Sequence, residues 1–240
     1  TFGSFSGGGQ VAMLPLADET GVTTFGNANT SHVSQSLFLS YDIDFPDDGT
    51  LEAVGKQVEF DNGGGAVVIR GNGRSFYMAP SPISGDSGAD PEGASLVTID
   101  NNASNVVEVH DLTFDGWAQA HFADSNKLIR YCTGSIIKLQ ADQTLSTTLN
   151  LAYDSSGESI VIDLNGYDLD LGSDSASLSI SATDATVTIK NGRIINIDDF
   201  DNGTPKLVAG NTTSTWVFQD VDLVLSGHTT LSGNNIQFKG

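Results

Sequence analysis

The chain has 240 residues, with 30 Asp and Glu against 10 Lys and Arg and a formal charge of -20. So acidic a surface repels phosphate backbones and anionic lipid, which argues against nucleic acid as a partner. No run approaches the roughly 18–20 apolar residues of a membrane span, so membrane insertion is not expected. The charge serves to keep an exposed β surface soluble, and leaves cationic or neutral polar partners open. Gly (27 residues), Ser, Thr, Asn and Asp are abundant and Lys is scarce, which favours short strands and tight turns over helices. Cys132, the lone cysteine, can form no disulfide within one chain, and its apolar neighbours over 128–137 make it a small buried core residue. The chain opens on Thr1 and Phe2 without an initiating Met or signal peptide, so it reads as processed or as a piece of something longer.

The first hundred residues are expected to form an irregular β-rich region (1–100). Gly7, Gly8 and Gly9 make a flexible start, and residues 37–45 and 57–60 read as strands. Residues 66–74 resemble 186–193, so the repeating plan is expected to begin there already. The stretch 79–93 carries Pro80, Pro82, Gly85, Gly88, Pro91 and Gly93 and reads as a long surface loop. A boundary is expected near 95–105.

Beyond it the pattern becomes regular. Residues 159–164 alternate apolar and polar, Asn165-Gly166 turns the chain, 167–171 alternate again, and 177–181 form a third short strand. The plan repeats with 186–190, a turn at Asn191-Gly192, 194–197, a polar loop through Pro205, and 206–208. A third round runs 215–218, 221–225 and 229–232. Pairs of apolar residues spaced two apart mark the rounds: Val107/Val109, Ile137/Leu139, Ile160/Ile162, Val187/Ile189, Trp216/Phe218 and Ile236/Phe238. Subtraction of their first members gives spacings of 30, 23, 27, 29 and 20 residues.

Self-similarity in this range marks a solenoid, in which each turn buries its apolar face against its neighbours. The fold expected for 101–240 is therefore an all-β right-handed parallel β-helix of about 26 residues per coil, continuing past residue 240. A hairpin sandwich also predicts frequent turns, but not the same turn at a fixed long period. Asp111, Asn165, Asn191, Asp220 and Asn235 each sit near a paired strand and suit corners, because Asn and Asp tolerate left-handed backbone angles. The last segment, 235–240, reads as the first strand of a fresh coil, so either the natural chain continues or a partner subunit caps it.

The strand-turn-strand units 162–169 and 189–194 resemble rungs of the right-handed parallel β-helix, or pectate-lyase-like, superfamily, of the phage tailspike and surface adhesin kind. The likeness covers about 105–240 and rests on a rung motif, not a catalytic one, so it implies shape more than activity. Members include polysaccharide lyases and hydrolases, tailspikes, virion surface proteins and adhesins. The resemblance implies an extracellular or virion-surface location and a homo-oligomer, with a trimer suggested by the tailspikes.

Lyases of that superfamily hold calcium on clustered carboxylates beside an Arg or Lys base. Here Lys190 and Arg193 flank Asn191-Gly192, with Asp163 and Asp220 expected at similar registers, yet a solvated ladder of outward residues explains them as well. Glycoside hydrolysis needs two carboxyl groups roughly 5–10 Å apart, and pairs such as Asp168/Asp170 or Asp198/Asp199 arise by abundance alone in so acidic a chain. Glu108 and Glu158 are expected to be plainly exposed. No catalytic residue is assigned. Calcium is the ion the oxygen-rich composition suits best, if any is bound; its best loops are 42–48 and the segment with Asp198, Asp199 and Asp201, and neither has EF-hand spacing. His32, His110, His121 and His228 are too scattered for zinc.

Trp216 and Phe218 share a register with Val187/Ile189 and belong to the core, leaving Trp117 and Tyr77 as candidate glycan platforms. The Thr pairs at 147–148, 186/188, 212–213 and 229–230 are too irregular for an ice- or mineral-binding plane. The expected function is a non-catalytic structural or adhesive protein that meets a glycan, a cell-surface receptor or neighbouring subunits. A polysaccharide depolymerase is the alternative.

Overall fold

The computed structural model describes residues 23–26, 35–38, 43–45, 58–61, 67–78, 97–99, 107–119, 129–152, 155–172, 175–198, 205–225, 227 and 235–240. Among them there is no α-helix, so no helix is long and apolar enough to cross a membrane. The strands, in chain order, are β1 (Thr23–Gly26), β2 (Gln35–Phe38), β3 (Ile43–Phe45), β4 (Val58–Asp61), β5 (Val67–Met78), β6 (Val97–Ile99) and β7 (Val107–Asp115). Then follow β8 (Ile129–Tyr131), β9 (Ile136–Lys138), β10 (Gln143–Thr144), β11 (Thr148–Leu151), β12 (Ser159–Asp163) and β13 (Asp168–Asp170). The series closes with β14 (Ser177–Ile180), β15 (Thr186–Ile195), β16 (Leu207–Ala209), β17 (Thr215–Val224) and β18 (Ile236–Lys239). The expected strand over 229–232 and the loop over 79–93 lie outside the described residues.

Among the described residues all of the pairings are parallel, and those of the larger sheet fall into three columns. The first column runs β2, β5, β7, β8, β11, β14, β16. The second runs β3, β5, β7, β9, β12, β15, β17, β18. The third holds β10, β13, β15 and β17. A separate parallel sheet joins β1, β4 and β6. From β8 onward the chain visits the columns in fixed order: β8, β9, β10, then β11, β12, β13, then β14 and β15, then β16 and β17. Parallel strands ordinarily need a helical crossover. Here the chain returns to each column by passing through the other two, which makes the architecture all-β and solenoid-like, with a long parallel sheet that is not a closed barrel. β5 and β7 run together from Val67↔Val107 to Tyr77↔Asp115.

Inside the columns, alternation stacks like on like. Ile160, Val187, Trp216 and Ile236 are successive register partners, and so are Ile162, Ile189, Phe218 and Phe238. Their partners lie 27 (160 to 187), 29 (187 to 216) and 20 (216 to 236) residues apart. Ile160, Val187, Ile189, Trp216 and Phe218 are all buried, whereas Phe238 is 64 % exposed although its ring stacks on Phe218 at 5.6 Å. The expected membership of this stack needs two corrections. Val107 and Val109 belong to the first column, opposite Ile129 and Tyr131, and Phe114 takes the place below Ile137. Ile137 is opposite Ile162, not Ile160. The first and second columns share the same period-two pattern, so linear spacing could not tell them apart.

The corners follow the predicted chemistry. Asp111, Asn165, Asn191, Asp220 and Asn235 all have positive φ, at 52°, 52°, 60°, 52° and 39°. Such angles strain most side chains, while Asn and Asp accept them by bonding to nearby backbone. Asn165, Asn191 and Asp220 lie between the second and third columns, whereas Asp111 and Asn235 precede second-column segments. Asn165-Gly166 is a tight turn, closed by the Tyr167 N–H donating to Leu164 O at 2.8 Å. At Asn191-Gly192 the sequence predicts a similar turn, but β15 runs through unbroken and merely bends. Gly192 is required there by crowding, since a Cβ would stand 2.4 Å from Leu164 Cβ and 2.6 Å from Tyr167 O. Gly192→Ala should therefore cost about 1–3 kcal/mol through overpacking. Ile189→Ala should cost about 2–5 kcal/mol through a cavity. Urea unfolding should show both as lower midpoints with unchanged m-values.

Candidate functional site

The outward positions of the second column carry an alternating row of charge. Tyr77, Asp115, Lys138, Asp163, Lys190, Gln219 and Lys239 are successive register partners on strands β5 to β18. Adjacent parallel strands lie about 4.8 Å apart, so unlike charges one strand apart are within reach. Lys138 Nζ is 3.1 Å from Asp115 Oδ2, and Lys190 Nζ is 3.2 Å from Asp163 Oδ2. Gln140 Nε2 donates to Asp115 Oδ1 at 2.7 Å, and Asn191 Nδ2 donates to Asp163 Oδ1 at 3.1 Å. This row is the longest acid–base arrangement in register among the described residues, and it is the best candidate surface for contact chemistry.

The other columns repeat the device. In the first, Arg130 Nη1 donates to Glu108 Oε1 at 3.2 Å, and His110 Nε2 is 4.0 Å from Glu108 Oε2. In the third, Arg193 Nε donates to Asp168 Oδ1 at 2.8 Å and Nη2 donates to Asp168 Oδ2. This two-pronged hydrogen bond, with the guanidinium charge behind it, holds the Asp168 carboxyl below the usual carboxylate range and raises Arg193 in turn. The register partners of Arg193 are Asp168 and Asp222, while Asp163 pairs with Lys190 and Asp220 lies at the corner between Gln219 and Val221, the partners of Lys190 and Gly192.

Trp117, expected as an exposed glycan platform, is 1 % exposed. Its indole Nε1 donates to Tyr131 Oη at 2.9 Å, and its backbone N–H donates to Lys138 O at 3.0 Å. The ring is core because the chain folds inward after the Asp115-Gly116 bend, where Gly116 has φ 81°. Tyr77 does point into the outward row, half-buried between Asp44 and Asp115 in register. Asp198 is fully buried, while Asp199 and Asp201 lie outside the described residues, as do most of residues 42–48. Among the described residues no three His, Cys, Asp or Glu side chains gather as a metal site. Cys132 is buried and free of disulfide.

Glu158, expected to be exposed, is 2 % exposed. Period two could have found this, because Ile160 points inward and the residue two before it must do the same. Sequence reasoning also missed Lys206, whose buried Nζ donates to Ala176 O at 3.1 Å. A second series it missed is the asparagine rungs. The Nδ2 atoms of Asn165, Asn196, Asn211 and Asn235 donate to Leu139 O, Asp170 Oδ1, Ala182 O and Thr212 O at 3.1, 2.7, 2.6 and 2.7 Å. Each bond spans 23 to 29 residues, so it ties one round of the chain to the previous one.

These observations define a class: an all-β, parallel, solenoid-like protein whose outer charges are paired strand to strand. Comparison with protein-family models, with curated proteins and with solved structures returns no match.

Two outcomes are expected. Lys138→Ala removes the cation set in register between Asp115 and Asp163, so chemical unfolding should show a loss of about 1 kcal/mol that shrinks with added salt. Burial pushes the Tyr131 phenol far above its usual range, the Trp117 hydrogen bond pulling less strongly the other way. A raised folded pKa means that this contribution is whole below the unfolded value of about 10 and is lost as pH rises beyond it. Ultraviolet titration should find one tyrosine ionising only with unfolding, and Tyr131→Phe should remove that late phase.

Proposed function

We propose that the chain is a non-catalytic structural or adhesive module, built as a right-handed parallel β-helix of about 26 residues per coil. Its place is a virion or an exposed cell surface, where it spaces, coats or attaches. The observation that carries this reading is how the outward polar groups are used. Arg130, Lys138, Lys190 and Arg193 each meet a carboxylate on the adjacent strand, and the corner asparagines bond across rounds. A catalytic base or acid needs a group held ready for substrate; here the same groups hold strands together. Parallel pairing of β2 and β3 with β5 supports the same reading for residues 35–38, 43–45 and 67–78.

Partners follow from the surface. The acidic excess suits a cationic or neutral polar partner such as a glycan or a cell-surface receptor, and it disfavours nucleic acid. A homo-oligomer, and a trimer in particular, rests on the resemblance to tailspikes.

One observation favours a polysaccharide depolymerase as the second reading. Lys138 stands in register between Asp115 and Asp163, a cation flanked by two carboxylates on an outer face. Calcium belongs to that reading alone. The two are separated by incubating the chain with acidic and neutral polysaccharides, with and without calcium. The structural reading expects no reducing or unsaturated ends in any mixture. Cleavage that disappears in Asp163→Asn would transfer the assignment to the depolymerase.

A further inference from the structure

The charged row of the second column has two ends, and they carry unlike charge. Followed through the strand registers, it begins at Asp44 on β3 and finishes at Lys239 on β18. The register beside it begins at Ile43 and finishes at Phe238, and its members between those two are buried.

Both end strands keep one side of the backbone ladder unused among the described residues, where β3 pairs only with β5 and β18 only with β17. The β18 end is also the apolar end. The exposed large apolar residues among the described ones are Val208, Val224, Leu225 and Phe238, all on or directly after β16, β17 and β18. Phe238 stacks on Phe218 at 5.6 Å and leaves most of its surface to solvent. Lys138 and Lys190 each meet an Asp on the strand below, whereas Lys239 stands over neutral Gln219 and meets no carboxylate among the described residues. An apolar strand edge of this kind is a template for pairing.

We infer that copies of the chain stack end to end, β18 of one copy against β3 of the next, in parallel and in the register that the second column already uses. That register sets Lys239 opposite Asp44 and Phe238 opposite Ile43, so unlike charges and apolar residues fall one strand apart, at about 4.8 Å. The interface joins two different surfaces, with no two-fold axis to close it, so it propagates as an open filament. It is separate from a lateral trimer and holds whether or not the chain acts on a glycan.

The test is sedimentation velocity of the 240-residue chain over a range of concentrations. Physiological ionic strength screens the repulsion between two acidic copies beyond about 8 Å. Species that grow with concentration and extend past the trimer are expected. Lys239→Asp should weaken the association about tenfold, and so should Asp44→Lys. The second variant is decisive, because it lowers the net negative charge and would strengthen any association governed by charge alone. An equal mixture of the two variants should recover native affinity, since every junction then joins opposite charges, and recovery separates lost association from lost folding. A chain that stays monomeric at all concentrations overturns the inference. So does association that Asp44→Lys strengthens, or a mixture that fails to recover. A trimer that neither variant disturbs also overturns it, while leaving the lateral oligomer standing.

Discussion

The structure depends on one constraint: each round of the chain must satisfy its backbone hydrogen bonds against the rounds on either side, in register and in parallel. A parallel strand offers no local partner, so a single slip of one residue would turn every inward side chain outward. Two devices hold the register. The inward series Ile162, Ile189 and Phe218 places apolar surface directly on apolar surface, and the burial of these residues leaves no alternative alignment that keeps them dry. The corner residues set where each round bends. Asn165, Asn191 and Asp220 accept left-handed angles at successive levels of one corner, so these three rounds turn at the same place.

The outer surface is a consequence of the same stacking. In a parallel in-register column, identical outward charges would pile up one strand apart, at a separation where like charges repel. The second column avoids this by alternating Asp115, Lys138, Asp163 and Lys190. Exposed pairs of this kind contribute little individually. Their larger effect is to specify which strand lies next to which, since a misplaced neighbour would set Asp against Asp. Arg130, Lys138, Lys190 and Arg193 thus serve order between rounds.

Buried polar groups show where period two holds and where it was overlooked. Glu158 is inside because it lies two residues before Ile160, in the same alternation. Lys206 reaches a main-chain carbonyl of the preceding round at Ala176, which meets the rule that a buried charge must find hydrogen-bond partners. Trp117 departs from its expected exposure for a different reason. A Trp after an Asp-Gly bend has no periodic neighbour to reveal its direction, and only the fold brings Tyr131 within 2.9 Å of its indole nitrogen.

What the residues alone determined is local and periodic: short strands, the absence of helices among the described residues, the corner positions of Asp111, Asn165, Asn191, Asp220 and Asn235, and the burial of Cys132, Trp216 and Phe218. Those features rest on steric preference and on alternation, which act within a few residues of each position. The tertiary structure decided which alternating segments belong to which column. Val107 pairs with Ile129 and not below Ile137, and Arg193 answers Asp168. Partners in a parallel stack lie 20 or more residues apart along segments of nearly identical pattern, so the choice among them is made by the lengths of the intervening corners and by side-chain fit across rounds.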